Sequence, residues 1–195
     1  PTRSIRVIYF DGSGTFAAET NEGVPCVWAN DIELDGAGCA HFSLHFPGEV
    51  EALACELGLR GVHNVSNASA VAALAWQAGV DPARIAEALK ASAPEAGRQE
   101  ILQGKGDITI INDAYNANPD SMRASLAMFS ALNVKHKRYA VLGDMGELGS
   151  FAEACHEAVG TFAATQKLDY LICVGELARS IARGALEAGF PADHL

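Results

Sequence analysis

From about residue 95 to its end, the sequence alternates strand-like and helix-like segments at a pitch of about 30 residues, the spacing of βαβ units. That repeat commits this half of the chain to helices packed on a parallel sheet, because a strand can join a parallel neighbour only through a long crossover. Apolar strands end near Ile111, Leu142 and Val174, and helices open at Pro119, Phe151 and Leu177. At the second helix, Ser150 with Glu153 three residues on predicts a capping box.

The preceding part reads differently. Strand-like runs from Ile5 to Phe10, Val24 to Leu34, Cys39 to Phe46 and Val50 to Leu57 are separated by turn residues such as Asp35-Gly36 and Pro47-Gly48, a pattern that predicts antiparallel strands. A helix follows from about Asn64, with Ala68, Val71, Ala72, Ala75 and Ala78 at helical spacing and Gly79 as its stop. Asp81-Pro82 supplies an N-cap and a first-position proline for a second helix through Leu89. After Ser92-Ala93-Pro94 the pattern changes, so the expected organisation is an α/β chain of two domains, 1–94 and 95–195. The chain opens on Pro1 close to a strand and stops at Asp193-His194-Leu195 where another strand is due, from which we expect a piece of a longer polypeptide, truncated at both ends.

Composition excludes several classes. With 49% hydrophobic and 19% charged residues, disorder is not the expected main state. The net charge of −10 and the lack of a Lys/Arg cluster disfavour nucleic acid and anionic membranes as partners, so any phosphate recognition must be local. Five cysteines, an odd number without a CxxC pair or metal-ligand spacing, fit packing thiols in a reducing compartment, and a cytoplasmic location is expected. No run approaches the ~20 apolar residues of a membrane helix.

Ligands gather beyond the carboxyl ends of strands in open α/β sheets. Asn112-Asp113, Gly143-Asp144 and Gly175-Glu176 stand at those ends, where Asp and Gly also make ordinary turns. Asp113 opens Asp-Ala-Tyr-Asn-Ala-Asn-Pro, a dense set of donors and acceptors before a helix. Asn64 and Asn67, three apart, share a helix face. Their carboxamides match the edge of an adenine ring, or one caps the helix while the other bonds locally. Asp11-Gly-Ser-Gly14 and Gly104-Lys-Gly106 lack the spacing of a phosphate-binding loop and read as turns. Glu153-Ala-Cys-His156 has ExxH spacing without a second copy, so His156 reads as a surface or core histidine.

His63-Asn64 with Asn67, Gly97-Arg98, Asp113 through Pro119, Ser121-Met122, and Gly143-Asp144-Met145 with Glu147-Leu148-Gly149 resemble the Mur ligase family, in order over about residues 60 to 180. Within it they look most like the members that add D-alanyl-D-alanine to a UDP-N-acetylmuramoyl-tripeptide. The resemblance implies the second half of a central ATPase domain over 1–94 and a Rossmann-like C-terminal domain, incomplete at its end, over 95–195. It implies ATP and Mg²⁺, the metal ligands lying upstream. It places His63, Asn64 and Asn67 at the adenine, Arg98 at the phosphates in a catalytic role, and Asp113 at the ribose hydroxyls. Arg98 otherwise reads as a solvated surface charge. Tyr115, Asn116, Asn118 and Ser121 are candidates for orienting the dipeptide or a closed domain interface. Asp144 and Glu147 form a second cluster that equally suits a turn Asp and an exposed Glu.

The family activates a carboxylate as an acyl phosphate and lets an amine displace phosphate. Its phosphate-binding loop and the domain that holds the UDP group are not in this sequence, so the piece alone is expected to be inert; separately, a monomer is expected. Two other readings stand beside this one: a non-catalytic nucleotide-sensing or docking module of Rossmann-like fold, and a sister ligase of the folylpolyglutamate synthetase type.

Overall fold

The computed structural model describes residues 7–16 and 23–195. They fall into two compact units, divided between Pro94 and Glu95.

In the first unit, β1 (Tyr9–Asp11), β2 (Cys26–Leu34), β3 (Cys39–His45) and β4 (Leu53–Arg60) form one sheet in that order. The β2–β3 and β3–β4 pairs are antiparallel, as the alternation predicts, whereas β1 runs parallel to β2. Ile5 and Arg6, the start of the first expected strand, lie outside the described residues. The β2–β3 turn forms because Asp35 Oδ1 accepts from the amides of Ala37 (2.8 Å) and Cys39 (2.9 Å), which hold its carboxyl below the ordinary range.

Strand alternation sends Val27, Ala29, Ala40, Phe42, Leu44, Cys55 and Leu57 to one buried face. That face is covered by α1 (His63–Gln77), through Val65, Ala68, Ala72 and Ala73, and by α2 (Pro82–Lys90), through Ile85 and Leu89. Val71, which the helical spacing placed on the apolar side, is exposed; the small alanines make the contact instead. Asp81 caps α2 by accepting from Ala83 N–H at 2.9 Å. Lys90 ties the end of α2 to Glu56 on β4 at 2.8 Å.

The second unit contains β5 (Glu100–Gln103), β6 (Thr109–Asn112), α3 (Pro119–Ala131), β7 (Tyr139–Gly143), α4 (Ala152–Ala164), β8 (Tyr170–Val174) and α5 (Ala178–Glu187). β7 and β8 pair in parallel, as the βαβ pitch predicts. The strand ending near Ile111 departs from the expected series: β6 pairs antiparallel with β5, which is too short and too polar at its ends to read as a strand. Gly104 and Ile108 close that hairpin with a 2.7 Å backbone bond.

The core gathers Leu126, Ala140, Met145, Val159, Ala163, Leu171, Ala185 and Phe190. α4 and α5 approach closely because Gly160 faces the Ile181 carbonyl and Gly184 faces that of Glu157; a β-carbon at either would overlap the other helix's backbone. The expected Ser150/Glu153 capping box is absent. Gly149–Phe151 forms a 3₁₀ turn that runs into α4 without a side-chain cap, and Glu153 pairs with Arg183 at 2.7 Å. The reciprocal box stands instead at α3, between Asn118 and Ser121.

Candidate functional site

At the start of α1, neither asparagine caps the helix. Asn64 is only 9% exposed; its Nδ2 donates to Arg60 O at 2.7 Å, and its Oδ1 accepts from Asn67 Nδ2 at 2.9 Å. The three-residue spacing thus puts the pair on one face, with Asn67 outermost. Each carboxamide keeps part of its donor and acceptor capacity beyond these bonds. An open pocket of about 430 Å³ at the start of α1 is lined by Phe10, Asp11, Gly12, Ser13, Val62, His63 and Ser66; of the three candidates here it takes in His63, and neither Asn64 nor Asn67 lines it. The Asp11–Gly14 segment is a turn, as its spacing indicates, with Ser13 N–H on Asp11 Oδ1 at 2.7 Å. Its role as a pocket wall was invisible in the sequence, because β1 and α1 meet only through tertiary packing. Gly12 sits so close to the Ser66 backbone that a side chain would not fit.

In the second unit, the segment Gly97–Gln99 is strapped to Asp113–Tyr115. Gln99 N–H donates to Asp113 Oδ1 at 3.1 Å, and Tyr115 N–H donates to Gly97 O at 3.0 Å. The Arg98 guanidinium lies over the Tyr115 ring, 4.3 Å from its centroid. Glu100 Oε2 closes the turn from behind, accepting from Gly97 N–H (3.0 Å) and Asn112 Nδ2 (3.1 Å). Ser125 Oγ donates to the second oxygen of Asp113. An ionised carboxylate offers about four lone-pair sites, and the described residues take up two of them on Asp113. Arg98 is 57% exposed along its side chain, with Glu95 4.0 Å from its Nε.

Asn116, Asn118 and Ser121 are engaged locally. Asn116 Oδ1 accepts from Ala117 N–H at 2.9 Å. Asn118 Oδ1 accepts from Ser121 N–H at 2.9 Å while Ser121 Oγ returns a contact to Asn118 N–H at 3.1 Å. Asp144 Oδ1 accepts from Ala178 N–H at 2.7 Å, joining the end of β7 to the start of α5, and only a glycine at 175 leaves room for its carboxylate. Glu147 is exposed, with a left-handed backbone of φ 60°.

Sequence reasoning left His156 without a role. It is 0% exposed: Nδ1 donates to Ala152 O at 2.6 Å, which leaves Nε2 to accept from Met145 N–H at 2.8 Å. This neutral tautomer holds the Asp144–Glu147 loop in place. Among the described residues no group of three or more His, Cys, Asp or Glu side chains converges to hold a metal. The Mg²⁺ that the resemblance implies therefore finds no ligand set among the described residues.

Residues 97–194, the second unit almost entire, match the family model "Mur ligase, glutamate ligase domain", and the chain belongs to the Mur ligase family. Within that family it is similar to UDP-N-acetylmuramoyl-tripeptide–D-alanyl-D-alanine ligases. The one from Mycobacterium bovis is 38% identical over 76% of this chain and 30% of its own length, and the one from Bacillus subtilis 34% identical over 81% and 35%. A crystal structure of MurF from Acinetobacter baumannii superposes with a TM-score of 0.76 at 31% identity, covering 92% of this chain and 41% of that one. The chain thus spans about a third of the length of the curated relatives it matches. No described helix is long and apolar enough to cross a membrane.

Proposed function

We propose that this chain is part of a cytoplasmic, ATP-dependent amide ligase that joins D-alanyl-D-alanine to UDP-N-acetylmuramoyl-tripeptide. In such a ligase ATP phosphorylates the tripeptide carboxylate, the dipeptide amine attacks the acyl phosphate, and phosphate leaves from the tetrahedral intermediate. Residues 1–94 would belong to the central ATPase domain and 95–195 to the C-terminal domain. The single observation that supports this reading most is the strap joining Arg98 to Asp113, which presents a guanidinium fork and a carboxylate from one turn. The fork suits phosphate oxygens and neutralises charge as it develops, and the carboxylate suits two ribose hydroxyls.

His63, Asn64 and Asn67 take the adenine side in this reading. Asn116, Asn118 and Ser121, with side chains turned to local bonds and helix capping, would shape the dipeptide side mainly through the backbone they fix. Asp144 and Glu147 would serve there as a second cluster. The magnesium that the reaction employs would be held outside the described residues.

The test is phosphate release by the full-length protein, given ATP, UDP-N-acetylmuramoyl-tripeptide and D-alanyl-D-alanine. Turnover that depends on the dipeptide is expected, and Arg98→Ala should lower its rate by roughly a hundredfold. Turnover with a folate and glutamate instead would favour the sister ligase. Nucleotide binding without any turnover would leave a sensing module.

A further inference from the structure

We propose that Tyr115 is a positioning residue: its ring is the platform that holds the Arg98 guanidinium, and it acts on the reaction through that arginine rather than by touching the dipeptide. This inference rests on the reading of Arg98 as the phosphate-facing group.

Three features carry it. Arg98 leaves the turn as an exposed side chain, and a free arginine samples many rotamers, so something must narrow its positions if it is to meet phosphate repeatedly. Its carboxylate neighbour, Glu95, sits at 4.0 Å on a side chain that is itself 86% exposed, too loose a partner to fix a direction. The aromatic face at 4.3 Å is the better anchor, because a cation over a ring is held from one side while its edge donors stay available.

The platform is itself fixed. Tyr115 is 69% exposed, so its ring is not there to fill a core. Its backbone is nonetheless tied to the arginine's own turn by the Tyr115 N–H bond to Gly97 O, and its β-carbon lies within van der Waals reach of position 97. Arginine and ring are therefore held by one rigid piece of backbone, and the same turn is anchored through Gln99 to Asp113. A tyrosine placed to hydrogen-bond a substrate would need its hydroxyl; one placed to carry a guanidinium needs only its ring.

That distinction sets the experiment, made on the full-length ligase with steady-state rates for ATP and dipeptide. Tyr115→Leu is expected to lower kcat/KM for ATP about two- to fivefold, the span of an exposed cation–π contact, with the dipeptide KM unmoved. Tyr115→Phe should recover most of that loss. In an Arg98→Ala background, Tyr115→Leu should add nothing. A dipeptide KM that rises in both Tyr115 variants would overturn the inference, as would an undiminished effect of Tyr115→Leu without Arg98. If Arg98→Ala alone leaves the rate unchanged, the reading of Arg98 fails first and takes this inference with it. Thermal unfolding of each variant separates these outcomes from loss of fold.

Discussion

Residues 63–67 and residues 97–115 both present polar side chains, but from different kinds of support. On α1 the helix geometry and a half-buried bond to Arg60 O fix Asn64, which in turn fixes Asn67. On the turn before β5, Arg98 is exposed and its direction comes from a ring and a strap of backbone bonds. The first arrangement cannot be altered without disturbing the core beneath it. The second can lose its function and keep its fold, so stability and activity should separate cleanly at the turn and not at the helix.

Both tryptophans, Trp28 and Trp76, lie in the first 94 residues, so tryptophan emission reads that unit selectively. The largest expected effect is at the core that supports α1. Leu44→Ala, at 0% exposure, should cost about 2–5 kcal/mol in denaturant unfolding followed by tryptophan emission. A coincident, equal shift in the tyrosine near-UV signal, dominated by the second unit's Tyr115, Tyr139 and Tyr170, would mean that the two units unfold together and would break the comparison. Next comes Asn64→Ala, which strips two bonds in a buried setting. It should cost about 1–3 kcal/mol by the same probe, and a neutral result would show that the helix needs no such anchor.

Asn118→Ala removes the α3 cap and should cost about 1 kcal/mol, read in the tyrosine signal and not in tryptophan emission. The smallest effect is a pH dependence at the sheet. His45 stacks on Trp28 with ring centroids 3.6 Å apart, and burial holds its imidazole below its ordinary 6.5. Below pH 6.5 the unfolded chain then binds more protons than the folded one, so the first unit should weaken as pH falls through that value and stay level above it. His45→Gln should flatten the difference; an unchanged slope would assign it to another group.

Much of the fold was legible. The βαβ pitch located β7, α4, β8 and α5, and the Asp35 and Asp81 side chains act as turn and cap as their positions suggest. Local chemistry misled at two places. Ser150 and Glu153 have the right letters for a capping box, but a 3₁₀ turn enters α4 there and Glu153 finds Arg183, 30 residues away. β5 was missed because a four-residue strand is recognisable only beside its partner. For the candidate sites, the motif singled out Arg98, Asp113 and Tyr115 without revealing that they hold one another.

What the sequence determined by itself was whatever depends on spacing along the chain: helices and strands from apolar periodicity, the Asn64–Asn67 face from a separation of three, and the family resemblance from its ordered motifs. Only tertiary structure decided which groups meet across long separations. Arg98 over Tyr115, the Asp113 carboxylate on the Gln99 amide, His156 against Met145 and the glycine contact of α4 with α5 all join residues eleven or more apart. A partner at that range is selected by the packing of whole elements, and no local pattern in the sequence encodes it.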